Sequence, residues 1–374
     1  LLTSFLNSRE RGKDIQNICL QCGTCNTVCG GKLDIAGMIL KLRTKFAQED
    51  GLNPVHKFCL DTVADRHLFH SMLRIASVAQ GMITKGQPMI RHLPMFLSGL
   101  TAGRSLPSVA PQPFRDILPT IKQDVPNPKG KIAIFTGCLL DFVYVDIATD
   151  VVKALNMAGY IVEMPLGQAC CGAPATYMGD VENAKKAAEM NLNAMEAEKY
   201  DYIVSACPTC THALRDYVDF FKDDPEMLKK AEELRSKTFD FCKLVSMLGG
   251  LPDTGDGVPM KSPYHDPCHL NRYLGVTKEQ RELLKATKGV ELIEMHDCDK
   301  CCGFGGSYSV KFPEMSAPIL EEKINNIVAS GAGVVAVDCP GCLLQIRGGL
   351  DARGLNNIQV KHTAQIVVEK REKK

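Results

Sequence analysis

The sequence predicts a mixed α+β / α/β protein: a helical N-terminal cysteine domain followed by two copies of one small α/β unit. Three observations predict it. First, a five-cysteine set containing Cys-Cys-Gly occurs twice in the same order. The first set is Cys138, Cys170-Cys171-Gly172 and Cys207-Pro208-Thr209-Cys210; the second is Cys268, Cys301-Cys302-Gly303 and Cys339-Pro340-Gly341-Cys342. The offset is 130 residues from Cys138 to Cys268, 131 from Cys171 to Cys302 and 132 from Cys210 to Cys342, which is an internal duplication. Second, short apolar runs alternate with helical periodicities in both copies, the pattern of parallel βαβ units. Third, Cys19-x-x-Cys22-x-x-Cys25-x-x-x-Cys29 precedes both copies and leads into a helical pattern from Ile35 to Phe46.

The elements follow in order. Four domains are expected: 1–65 with the N-terminal motif, 66–129 as a basic helical segment and Pro-rich linker, 130–258 as the first repeat and 259–374 as the second. From Arg66 to Arg115 there is no Asp or Glu, while Arg66, Arg74, Lys85, Arg91, Arg104 and Arg115 occur with His67, His70, His92 and Met72, Met82, Met89 and Met95. That segment reads as a linker packed on the cysteine domains, or as a basic amphipathic surface meeting a partner or anionic lipid. Pro107 to Pro128 mark the linker. In the first repeat, strands are expected at Ile132–Phe135, Tyr160–Met164 and Tyr202–Ser205, with helices at about Tyr144–Ala158 and, capped by Asp180, up to about Lys199. The second repeat gives a short strand before Asp266, a helix near Lys278–Lys288, a strand at Val290–Ile293, a helix near Pro313–Ala329 and a strand at Val334–Val337. The cysteines fall just past strand ends, where open α/β sheets hold their ligands.

Composition narrows the class. The chain has 374 residues, 45% of them hydrophobic, and a formal net charge of +1. Two or three domains with real cores fit that length, and nothing in the charge calls for nucleic acid. Seventeen cysteines in C-x-x-C and Cys-Cys pairs, without a signal peptide, read as metal-binding thiols in a reducing compartment, hence the cytoplasm. No run reaches the length of a membrane helix. The opening Leu1-Leu2, without Met, suggests residues missing upstream.

Thiolates in these spacings suit iron–sulfur clusters. C-x-x-C can serve neighbouring irons from one turn, and the diverging side chains of a Cys-Cys pair reach different irons. Gly172 and Gly303 are expected to let the backbone approach a cluster. Five thiolates exceed the four of a simple cubane, so zinc and a cubane with a spare thiol stay open as alternatives. The N-terminal motif has bacterial ferredoxin spacing, in which the fourth cysteine often serves another cluster. Cys19, Cys22 and Cys25 are the first candidates there, with the fourth ligand from Cys29 or Cys59. Cys59 and Cys242 read as buried structural thiols, and Cys298 as an occasional substitute ligand. His265 and His269 flank Cys268 and are expected to bond sulfur or backbone rather than metal. Gly303-x-Gly305-Gly306 follows a cysteine pair rather than a strand and is no dinucleotide fingerprint.

The duplicated C…CCG…CxxC pattern resembles the cysteine-rich domains of heterodisulfide reductase catalytic subunits. It also resembles the iron–sulfur subunits of lactate dehydrogenases and glycolate oxidase. His265-Asp266-Pro267-Cys268-His269-Leu270, Cys301–Ser307, Asp338–Cys342 and Gln345–Gly349 favour the lactate/glycolate branch. The resemblance implies [4Fe–4S] clusters: one of ferredoxin type and up to two in the repeats, a non-cubane form among the options. It implies FAD on a partner and not on this chain, with this chain the electron-transfer subunit of a 2-hydroxy-acid oxidoreductase. Implied partners are an FAD-containing dehydrogenase subunit and a further iron–sulfur or membrane quinone-reactive subunit, with peripheral placement on the cytoplasmic membrane. Two other readings are a heterodisulfide-reductase-type catalytic subunit and a connector in a larger respiratory complex.

Overall fold

In the computed structural model, residues 8–84, 89–91, 103–252 and 257–372 are described. Leu1, Leu2, Lys85, His92 and Met95 lie outside them.

Four helices build the N-terminal part: Arg9–Asn17, Thr24–Val28, Ile35–Asp50 and Pro54–Ala64. Asp34 starts the third by accepting from the Gly37 amide, and Asn53 starts the fourth by accepting from Val55. A longer helix, Arg66–Thr84, leads to a short antiparallel pair, β1 (Met89–Ile90) and β2 (Leu106–Pro107).

Each repeat is a four-stranded, all-parallel sheet. The first contains β3 (Lys131–Ile134), β4 (Ile161–Glu163), β5 (Tyr202–Ser205) and β6 (Thr238–Asp240), in the order β4-β3-β5-β6. The second contains β7 (Met260–His265), β8 (Val290–Ile293), β9 (Val334–Val337) and β10 (Gln359–Lys361), in the order β8-β7-β9-β10. The expected strands are present in both copies. The fourth strands, β6 and β10, are additions: Thr-Phe-Asp and Gln-Val-Lys are too short and polar to carry a strand signal.

In both sheets the chain direction across the sheet reverses between the two middle strands. Such a switch point opens a crevice beyond the strand C-termini. Cys138 and Cys207 follow β3 and β5, and Cys268 and Cys339 follow β7 and β9.

The copies pack against each other as a pair. The Val145–Met157 helix lies on Thr363–Glu369, and Phe241–Met247 on Glu279–Lys285. One apolar core runs through both, from Ile132, Val204 and Phe241 to Val335, Val337 and Leu343. That shared core brings the two switch points together.

Candidate metal centre

The first cysteine set is fixed by its surroundings before any metal is considered. Gln168 locks the end of β3: its Oε1 accepts from the Thr136 amide (2.8 Å), and its Nε2 donates to the Ile134 carbonyl (3.0 Å). Gly137 then turns with φ +58°, and a Cβ there would stand 3.0 Å from Cys210 Sγ. Buried Asn191 accepts from the Ala169 amide (2.8 Å) and donates to the Cys170 carbonyl (2.9 Å), while Tyr217 Oη donates to the Cys171 carbonyl (3.0 Å). Pro208 opens a helix that runs to Asp216, so Cys207 caps it and Cys210 lies in its first turn. The thiols form a continuous row from Cys138 through Cys170, Cys171 and Cys210 to Cys207.

The second set repeats this plan. Cys302 Sγ lies 3.2 Å from Cys342 Sγ, and the Gly303 amide donates to Cys301 Sγ (3.4 Å). Pro340 opens the helix that places Cys339 at its cap and Cys342 in its first turn. Cys268 adjoins Cys301, and Cys339 adjoins Cys207 of the first set. The ten thiols of the two repeats therefore make one array joined at Cys207 and Cys339.

Gly172 and Gly303 have φ of +79° and +83°. A Cβ on Gly172 would meet Ala187 Cβ at 3.2 Å, and one on Gly303 would meet the Ser316 carbonyl at 2.8 Å. The structure thus gives both glycines a packing reason on the following helix. Gly137, rather than Gly172 or Gly303, is where an added Cβ would meet a thiol of the set.

The electrostatics fit a cation. The hydrogen bond from Cys170 holds the Cys171 thiol down at about 6, and hydrogen bonds from Cys268 and Cys207 hold Cys301 and Cys339 well below the usual thiol range. Their neighbours move the other way: the bond to Cys170 and then burial push Cys138 up, and the bond to Cys171 does the same to Cys210. Without metal, only some of these crowded, buried sulfurs can be thiolates at once. A bound cationic cluster would remove that limit and let all five of a set ionise. The donor set therefore fits thiolate-ligated iron–sulfur clusters.

The N-terminal motif docks beside the array. Gln21 donates through Nε2 to Cys19 Sγ (3.5 Å) and to the Ala36 carbonyl (3.2 Å). The charges of Cys22 and Cys25 act on Cys19. Arg43 donates to the carbonyls of Gln16 (2.6 Å) and Cys19 (2.6 Å), and across to Tyr177 of the first repeat (2.8 Å). Tyr273 Oη donates to the Gln21 carbonyl (3.0 Å), and its ring would be 3.1 Å from a Cβ on Gly23. Tyr273 stacks on His269 at 4.8 Å and 18°, and His269 Nδ1 lies 3.5 Å from Cys268 Sγ. The motif thus reaches the second set through two rings. Cys29 ends the short Thr24–Val28 helix. Cys59 is exposed on the Pro54–Ala64 helix, which corrects its reading as a buried thiol, whereas Cys242 is fully buried.

Of the two readings of the basic segment, its contacts favour the packed linker. Arg66 donates to the Leu166 carbonyl, Arg74 pairs with Asp116 at 2.6 Å, and Arg91 grips Asp351 with two bonds. Arg104 is buried against Ser309 and Gln345, and Arg115 pairs with buried Asp141. The segment lacks acids of its own, so its arginines take acceptors from the rest of the chain. Among the described residues Arg66, Arg91, Arg104 and Arg115 tie the segment to the two repeats, Arg74 pairs within the linker, and these arginines form no free basic face.

The signals for Arg43, Gln168, Asn191, Tyr217 and Tyr273 were absent from the sequence reading, because each acts on a backbone atom distant in the chain.

Comparison with known proteins agrees with this architecture. A model of the cysteine-rich CCG domain matches residues 132–215 and 263–347. Lactate utilization protein A of Shouchella clausii is 38% identical over 240 residues, covering 64% of this chain and 99% of that protein. The chain belongs to this family. Lactate utilization protein A of Bacillus subtilis is 35% identical, over 63% of this chain and 98% of its own length. A probable glycolate oxidase iron–sulfur subunit of the same organism is 30% identical over 96% of this chain and 84% of its length. The two matched stretches of this chain fall in the paired sheets described above.

Proposed function

We propose that this chain is the iron–sulfur electron-transfer subunit of a flavin-dependent 2-hydroxy-acid dehydrogenase, with lactate as first substrate and glycolate as second. The observation that carries the reading is the unbroken array of ten thiols spanning both repeats, with the N-terminal motif docked at one end through Tyr273 and His269. Cys138, Cys170, Cys171, Cys207 and Cys210 would hold one cluster, and Cys268, Cys301, Cys302, Cys339 and Cys342 a second. Cys19, Cys22 and Cys25, with Cys29 as fourth, would hold a third of ferredoxin type. Bound clusters supply one-electron carriers. The protein's part is to fix their spacing, exclude water and donate amide hydrogens to sulfur, as Gly303 does at Cys301.

The hydroxy-acid reading draws on the relatives' names, one a lactate utilization protein and the other a probable glycolate oxidase iron–sulfur subunit. FAD and the substrate site then belong to a partner, and electrons pass toward membrane quinone. Among the described residues no helix is long and apolar enough to cross a membrane, so contact with quinone would run through a partner. Disulfide cleavage is less well supported. Cys207 and Cys339 are buried and touch where the repeats meet, which leaves no gap there for a disulfide substrate.

The test is anaerobic visible absorbance of the natively purified complex on addition of lactate, then glycolate. Prompt bleaching of the iron–sulfur band supports the proposal. Bleaching by dithionite alone removes the hydroxy-acid assignment and redirects attention to disulfides. On the isolated chain, Cys171→Ala and Cys302→Ala should each lose the iron of one repeat and keep that of the other.

A further inference from the structure

The two thiol sets match in sulfur but differ in what surrounds them. At the 130-residue offset His265 and His269 correspond to Phe135 and Leu139, and at 131 Lys323 corresponds to Leu192. The second set has imidazoles and a buried ammonium where the first has hydrocarbon.

His265 ends β7 and is fully buried. Its Nδ1 lies 3.1 Å from the Cys298 carbonyl oxygen. The Asp266 amide (3.0 Å) and Lys323 Nζ (3.3 Å) point at that same oxygen. A carbonyl only accepts, so Nδ1 carries the ring proton, and Nε2 of the neutral ring is left with a lone pair. Nε2 is buried with no hydrogen-bond partner. One ring nitrogen of His265 and the sulfurs of Cys302 and Cys342 all lie within 4.8 Å of one another. Once those sulfurs are thiolates, three acceptors converge with no donor among them. A cation satisfies all three. An imidazole whose other nitrogen donates to a backbone carbonyl is also the usual arrangement of a metal-ligating histidine.

We propose that His265 ligates the metal of the second set through Nε2, so that this set offers five thiolates and one imidazole while the first offers thiolates alone. His269 has a different part: its Nε2 lies 2.6 Å from Tyr177 Oη, and its Nδ1 faces Cys268 Sγ. A thiolate there needs a donor, so His269 gives an N–H to sulfur and stays outside the metal. The proposal rests on the reading that the second set holds iron. Its consequence is an ordering of the repeats. Where that imidazole takes an iron position that a thiolate holds in the first set, the cluster carries less negative charge and its reduction potential is higher, so electrons settle on the second repeat, whose Tyr273 contacts the N-terminal motif.

The experiment is pulsed electron paramagnetic resonance on the full chain, purified anaerobically, labelled with 15N-histidine and poised across the reducing range. Metal content is measured on the same sample. The expected result is a directly bound histidine nitrogen in the signal of one cluster. That coupling disappears in His265→Phe, which copies Phe135 of the first repeat, and persists in His269→Phe. The midpoint potential of one cluster falls in His265→Phe and the others hold. Iron present in both repeats with no bound nitrogen in the unmutated chain overturns the ligand assignment alone, and that reading needs no variant to fold. Iron absent from the second repeat overturns the cluster reading and the ligand assignment together.

Discussion

Replacing Arg43 with Met should open the N-terminal unit from the rest of the protein while leaving both repeats folded. The guanidinium bonds three carbonyls, two in its own unit and that of Tyr177 in the first repeat. Met keeps most of the apolar stem and removes every donor. A part-buried carbonyl left without a donor costs about 1–3 kcal/mol, and water entering the gap recovers part of the loss. A net cost of about 3 kcal/mol for holding the Ile35–Asp50 helix on all three partners is the working figure, which at about 1.4 kcal/mol per decade is roughly a 100-fold shift in that helix's local opening. Native-state hydrogen exchange reads this directly. Amides of the Ile35–Asp50 helix should exchange roughly 100-fold faster, while β3, β5, β7 and β9 keep their protection. Arg43→Lys should fall between, since one ammonium cannot reach all three oxygens in planar geometry. Unchanged exchange in that helix would refute the clamp. Uniformly faster exchange across all strands would show that Arg43 supports global stability and that the N-terminal unit has no separate opening.

Three further predictions follow from particular residues. Cys59→Ser should leave iron content unchanged, because the thiol is exposed on its helix; loss of one cluster's worth of iron would make it the fourth N-terminal ligand instead of Cys29. Lys323→Met removes a buried cation whose charge acts on Cys302 and Cys342. The second repeat's cluster should then be harder to reduce in an electrochemical titration, with the first unaffected, and equal shifts in both would contradict the asymmetry. Burial, then the charges of Arg115, Arg66 and Arg74, push half-buried His70 down to about 3. The folded state prefers the neutral ring, so its contribution is complete above the unfolded value near 6.5 and is lost as pH falls from there toward 3. Hydrogen-exchange protection in the Arg66–Thr84 helix, taken relative to the intrinsic rate at each pH, should therefore fall between pH 7 and 5, and His70→Leu should abolish that step; an identical step in the variant would place the titration elsewhere.

Much of the site was legible in the chain because its chemistry is written in cysteine spacing. Strand–helix alternation and the position of cysteines after strands depend on neighbours a few residues apart, and the duplication shows when the chain is compared with itself at an offset of 130 to 132 residues. Those local rules gave the βαβ order, and the Asp180 cap that accepts from the Asn183 amide. Three things depended on distant contacts. The arginines between 66 and 115 stayed open between a packed linker and a basic surface, since the sequence shows their lack of acidic neighbours and not that Asp116, Asp141 and Asp351 come to meet them. The strands β6 and β10 exist because a parallel edge was there to receive three residues each. The union of the two cysteine sets at Cys207 and Cys339 exists because helices from both copies share one core. By itself the sequence determined which thiols stand together along the chain and at what local spacing, since backbone connectivity sets both. Only the tertiary structure decided that the sets form one array, that the N-terminal motif meets the second of them, and that a ring nitrogen of His265 comes within 4.8 Å of the Cys302 and Cys342 sulfurs. Those facts follow from packing between residues that the chain keeps far apart.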